Sequence, residues 1–185
     1  GVHPTVLFWG AVHHLVLGHP DEELATFFPS VVGAGARPPD EAGPALVAFC
    51  ADHHDELAEL VRTRLVQTNI ARRAVALRFG LTHLRADEPV HLVEVGSSAG
   101  ILLSHHRFRL RLGDHVVGPA DAAVDLTCEW RGAAGPPPDL DRVPPTAQRI
   151  AVDLHPNDPA SPEDRRWLRA LAWPENLEQA AVLEA

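Results

Sequence analysis

The chain has 185 residues, 45% of them apolar, enough to bury an ordinary core in one domain or one small domain with an appendage. Its 16 basic residues are all arginine, and against 25 acids they leave a formal charge of -9, which opposes nucleic-acid duplexes and anionic membranes as partners. Lysine and tyrosine are absent, which excludes a Schiff base, a Walker-type phosphate lysine and a Tyr/Lys proton relay.

Methionine is also absent and the first residue is Gly1, so the chain is expected to be a fragment or a trimmed form of a longer protein. Cys50 and Cys128 lie far apart with no CxxC spacing, which fits reduced, buried thiols and a cytoplasmic setting. The longest apolar run, Thr5 to Leu17, is broken by His13 and His14 and is too short to span a bilayer.

In chain order, residues 4–17 (PTVLFWGAVHHLVL) carry a first-turn proline and apolar residues on nearly every side, predicting a buried helix. Residues 20–44 are rich in Pro and Gly and form a connector, with one short helix at 21–27 and Phe27-Phe28-Pro29 as an anchor. From Ala45 to Leu84 the helical spacing of Leu57, Leu60, Val61 and Leu65 predicts two or three helices, broken near Thr68-Asn69, with Asp52 placed to cap a turn. Val90 to Val95 then changes to strand character, meets the loop GSSAG, and a helix is expected from about Gly100.

Residues 107–148 hold short β-like stretches at 115–117 and 123–128 and a Pro/Gly loop from Gly132 to Pro145, the pattern of an insertion. A second strand is predicted over 149–154. Ser161-Pro162-Glu163-Asp164 is a helix start with a capping Ser, Pro at the first position and acids in the first turn, followed by Trp167, Leu168 and Leu171 as a buried face. A last helix opens at Pro174. The predicted fold class is α/β: a helical region over 1–88, then a partial Rossmann-type parallel sheet over 89–185.

Chemistry concentrates in Val93-Glu94-Val95-Gly96-Ser97-Ser98-Ala99-Gly100, an acid near the end of a strand, a loop of small residues, then a helix. Small residues let a ligand approach the backbone, and helix-start amides attract an anionic group. The spacing is not GxGxxG, which disfavours a dinucleotide. It resembles the first motif of Rossmann-type S-adenosylmethionine methyltransferases, in which the loop lies against the methionine portion. That resemblance implies an acid on the ribose at the end of the next strand, supplied by Asp153, with Glu129 as rival.

The pieces HHLVLGHP, FCADHHDEL, RTRLVQTN, LVEVGSSAGILL, CEWRG, VDLHPNDP and DRRWLRALAWPE resemble an uncharacterised bacterial domain-of-unknown-function family over nearly the whole chain. The resemblance implies a helical N-terminal part before a methyltransferase-like core that continues beyond residue 185. It implies Glu94, Gly96, Ser97, Ser98, Gly100 and Asp153 as a site for S-adenosylmethionine, and His53, Gln67, Asn69 and Arg73 as a facing polar surface. Two positions depart from the family pattern: Ile70 stands where an acid usually follows QTN, and Ile101-Leu102 where an Asn usually follows the second glycine.

Three other readings compete. The same fold can serve as a non-catalytic binding or scaffold protein. Gly96-Ser97-Ser98-Ala99-Gly100 also fits GxSxG, with Ser98 as a hydrolase nucleophile, but that fold needs several strands before the elbow. The histidine pairs at 13/14, 53/54 and 105/106 suggest a metal, yet adjacent helical residues point about 100° apart, so no pair makes an i, i+4 clamp and no metal is expected. Arg62, Arg64, Arg72 and Arg73 form a basic helical patch suited either to an anionic substrate or to solvent.

Overall fold

A computed structural model describes residues 4–131 and 139–184. Its contacts divide the chain into two compact units, residues 1–68 with 157–184, and residues 69–156. This division differs from a single boundary at residue 88. The second helix-forming stretch of the chain, after Asn157, belongs with the N-terminal helices. The region from Asn69 to Leu84 belongs with the strands.

In the first unit, α1 spans Pro4–Gly18 and buries Leu7 and every residue from Gly10 to Val16. A 3-10 turn, Glu23–Phe27, and a four-residue helix α2, Pro29–Val32, follow in the connector, then α3, Gly43–Asp52, and α4, His54–Thr63. Asp52 is the last residue of α3, and neither α3 nor α4 has a side-chain cap, so the predicted capping role is not observed. The core joins Leu7, Val12, Leu15 and Val16 to Leu24, Phe27, Phe49, Leu57 and Trp167.

Trp167 comes from α6 (Pro162–Ala170), 102 residues beyond Leu65, whose carbonyl accepts its indole N–H at 3.1 Å. Ser161 caps α6 as expected, its hydroxyl accepting the Asp164 N–H at 3.3 Å. The final helix, α7, runs Leu177–Glu184, because a turn at Trp173 to Asn176 delays it past Pro174.

The second unit has α5, Arg73–Leu81, as its first helix and contains five strands among the described residues. β1 (Val90–Val95) pairs in parallel with β5 (Thr146–Val152), and β2 (Arg109–Leu112) lies between β3 (His115–Val117), antiparallel, and β4 (Asp125–Cys128), parallel. The fold is therefore α/β with a small parallel sheet. β2 has the alternating burial of a half-buried strand, Leu110 and Leu112 inward and Arg109 and Arg111 outward, and Arg111 forks onto Asp125 of β4 at 2.8–3.0 Å. Part of the predicted Gly132–Pro145 loop, residues 132–138, lies outside the described residues.

Two expectations change here. Residues 101–107 form a 3-10 turn instead of the α-helix expected from Gly100, as the chain bends at once into β2. The second long strand ends at Val152, two residues early, leaving Asp153 just beyond the sheet. Both cysteines are free and only half-buried.

Register places Val93 opposite Ile150 and Val95 opposite Val152, so these four share one face, with exposures of 58%, 37%, 82% and 48%. The opposite face carries Leu92 and Glu94 and is contacted by the 3-10 turn. Among the described residues, no helix is long and apolar enough to cross a membrane.

Two buried histidines should make the protein acid-sensitive. His13 Nδ1 donates to the Ala170 carbonyl at 3.0 Å, and Nε2 then accepts from the Ser30 hydroxyl at 2.7 Å, which satisfies the neutral ring. Burial lowers its pKa from 6.5 to about 4. His105, buried in the second unit with neither ring nitrogen hydrogen-bonded among the described residues, is also lowered to about 4, by burial and then by Arg78. Between the two values the unfolded chain binds more protons, so stability is full above pH 6.5 and falls as pH drops toward 4. Each group contributes on the order of 3 kcal/mol to that loss. Denaturant unfolding from pH 7.5 to 4 should show the decline, and His105→Leu should reduce it; a flat profile in the parent protein would refute the assignment.

Candidate functional site

The site forms where two parallel strands end side by side. Because β1 and β5 run in the same direction, the loop after Val95 and the residue after Val152 leave the sheet at the same edge. The amide of Gly96 donates to the Val152 carbonyl at 2.8 Å, extending the ladder by one bond. Gly96 then takes φ +73°, a left-handed conformation that a side chain would strain. A Cβ added there would meet nothing within 4 Å, so the space beside this backbone is open.

Ser97 and Ser98 are buried. Ser98 has φ +52°, the only positive φ outside glycine among the described residues, and its conformation is held from two sides. Its amide donates to Asp153 Oδ2 at 2.8 Å, and its hydroxyl accepts from Asn69 Nδ2 at 2.9 Å. The Ser97 carbonyl accepts the Gly100 amide at 2.7 Å, which closes the loop as a turn. Gly100, at φ +70°, begins the 3-10 turn.

Asp153 anchors the loop. Its Oδ2 takes the Ser98 amide and its Oδ1 takes the His155 amide, each at 2.8 Å, so one carboxylate ties the β1 loop to the segment after β5. Glu129 follows β4, which is in the other sheet, and its carboxylate bonds Arg131 at 2.7 Å. The neighbour of β1 is thus the strand that leads to Asp153.

Glu94 occupies the sheet face opposite Val93 and Val95. Its Oε2 is buried with no hydrogen-bond donor among the described residues, and burial raises its pKa while the Arg73 charge opposes the rise. Asn69 and Arg73 are therefore drawn to the loop region, Asn69 by a hydrogen bond and Arg73 by its charge. His53 and Gln67 belong to the first unit. There His53 lies between Glu22 and Glu56, whose hydrogen bonds raise its pKa, Glu56 most strongly, and Gln67 Oε1 accepts from Asn157 at 3.1 Å.

Reading the sequence finds only half of the structural role of Asp153, since an acid before His155-Pro156 often caps a turn. An acid two residues before a turn amide is an Asx-type signal, and Asp153-Leu154-His155 carried it; the second amide, from Ser98, comes from 55 residues away and has no local signature. Asp153→Asn keeps the side-chain shape but turns one acceptor into a donor facing an amide. It should lower stability by about 1–3 kcal/mol. Hydrogen exchange of the Ser98 and His155 amides should accelerate with it; unchanged protection at both would show that the carboxylate does not hold the loop.

No curated protein matches this chain, and no solved structure matches it. The profile of one family matches residues 2–185, so the chain belongs to the family described as "Uncharacterized protein conserved in bacteria (DUF2332)".

Proposed function

We propose that this protein binds S-adenosylmethionine in a Rossmann, methyltransferase-like core, with Gly96 to Gly100 against the methionine portion and Asp153 toward the ribose. The observation that carries this reading is the junction of the glycine loop with Asp153 at one edge of a parallel sheet, joined by the 2.8 Å Ser98–Asp153 hydrogen bond. Strand-end crevices of this kind are where α/β sheets take nucleotide-type ligands.

The residues fit the group in three respects. The open space beside Gly96 admits a ligand against the backbone. The buried, undonated Oε2 of Glu94 offers an acceptor for the methionyl ammonium. Asp153 places a carboxylate, a suitable acceptor for ribose hydroxyls, at the end of the strand beside the loop.

When bound, the cofactor would supply an electrophilic methyl group. The chain's own part is to fix its position, and methyl transfer can rely on positioning without a strong base. A duplex nucleic acid is disfavoured as the methyl acceptor by the charge of -9. A binding protein that retains the fold without transfer is the alternative, separated by a methyl-transfer assay.

One observation favours the hydrolase reading: Ser98 at φ +52° in GxSxG has the left-handed backbone of a nucleophile elbow. Against it, the first strand of the described residues is β1 itself, and the Ser98 hydroxyl accepts from Asn69.

Calorimetric titration with S-adenosylmethionine and S-adenosylhomocysteine tests the proposal. Gly96→Val should abolish binding. Asp153→Ala should weaken it about tenfold to a hundredfold, part of the loss coming from the loosened loop. Ser98→Ala should matter less. Absence of binding to the parent protein refutes the proposal, and ester hydrolysis lost in Ser98→Ala would replace it with the hydrolase reading.

A further inference from the structure

A second group of chemistry-bearing side chains lies in the first unit, independent of the glycine loop. His19 follows α1, Glu22 precedes the 3-10 turn, and His53 sits at the junction of α3 and α4. One ligand atom from each lies within 4.8 Å of the other two. His53 Nε2 is 2.9 Å from Glu22 Oε1, and His19 Nδ1 is 3.5 Å from the same oxygen.

The geometry points to a divalent transition-metal site, best suited to zinc, with His19, Glu22 and His53 as its protein ligands. Two imidazoles and one carboxylate are a donor set that zinc accepts, with a fourth position left for water. Around a tetrahedral ion with bonds of about 2.0–2.1 Å, donor atoms stand roughly 3.3–3.5 Å apart. The His19–Glu22 separation already has that value, and the His53–Glu22 pair needs to open by only a few tenths of an ångström.

The surroundings of His53 supply an independent indication. Its other nitrogen, Nδ1, is 3.0 Å from Glu56 Oε1, and its ring packs on Phe49 at 4.4 Å and on His19 at 4.5 Å between centroids. A carboxylate on Nδ1 holds the N–H there and directs Nε2 toward the ion, the arrangement by which metal-bound histidines are commonly oriented. An ion takes the unprotonated Nε2, while the Nδ1–H stays on His53 and donates to Glu56. His19 and Glu22 are each about two-fifths exposed, which leaves the fourth position open to water.

The sequence hid this group because only His53 belongs to a histidine pair, whereas His19 stands alone in the chain. His53 and His54 are neighbours in the chain, but His54 is 78% exposed on the other side of the junction and pairs with Asp55. The partner of His53 is His19, 34 residues earlier, and only the packing of α1 against α4 brings these segments together.

The test is calorimetric titration of the untagged, chelator-treated full chain with Zn²⁺, with Co²⁺ absorption as a second readout of four-coordinate geometry. One equivalent should bind. His53→Ala and Glu22→Gln should each weaken it about a hundredfold or more, and Glu56→Gln, which changes no ligand, about tenfold to a hundredfold. His54→Ala should leave it unchanged. Glu22→Gln alters a surface side chain, so it decides the matter if His53→Ala fails to fold. The inference is overturned if the parent binds Zn²⁺ no more tightly than Glu22→Gln, or if His54→Ala weakens binding as much as Glu22→Gln.

Discussion

Two parallel strands cannot be joined by a tight turn, and that constraint organises the strand-bearing unit. β1 and β5 pair in register from His91 to Val95, so the chain must cross the sheet between Val95 and Thr146. The usual crossover is one helix. Here the crossing segment instead makes a short 3-10 turn and a separate three-stranded sheet with its own apolar layer of Phe108, Leu110, Leu112, Val117 and Leu126. The small residues of GSSAG allow the bend that starts the crossing, and Asp153 secures it by accepting the Ser98 amide.

Under the proposed function, site and structure share the same atoms. Asp153 holds the loop through two amides, and in that reading the same carboxylate meets the ligand, so a substitution there would act on both. Glu94 behaves differently, since its buried oxygen contributes no hydrogen bond to the fold among the described residues. A buried acceptor left without a donor costs stability, of order 1–3 kcal/mol, and such costs gather at functional positions. Under the proposed function, a Glu94 substitution would remove a ligand contact without removing a hydrogen bond of that oxygen from the described fold.

The helical unit depends on a different constraint. α1 is apolar nearly all round and is buried on every side from Gly10 to Val16, so this stretch needs neighbours all round. The segment from Ser161 onward supplies one of them: α6 packs on α1, His13 bonds the Ala170 carbonyl, and His14 lies 2.9 Å from Glu163. Arg64, after α4, reaches Asp164 at 2.7 Å and Glu163 at 3.4 Å, so the first turn of α6 is fixed by charge as well as by Trp167. These partly buried ion pairs orient the helix; the burial of Trp167 and Leu168 supplies most of the stabilisation.

The sequence by itself determined the elements whose signals are local. Pro4 with an unbroken apolar run made α1, Ser161-Pro162-Glu163 made the start of α6, and the apolar run into GSSAG made β1 and its loop, because capping, φ restriction and side-chain periodicity act within a few residues. Residues 101–107 were harder to read, since their apolar start is compatible with an α-helix and only the demand of β2, two residues on, stops them as a 3-10 turn. The tertiary structure alone decided which strand adjoins β1, that Asp153 and not Glu129 meets the loop, that α6 returns to α1, and that His19 meets His53. Each is a pairing across tens of residues or more, chosen by which surfaces can be buried together, and no short stretch of sequence contains that information.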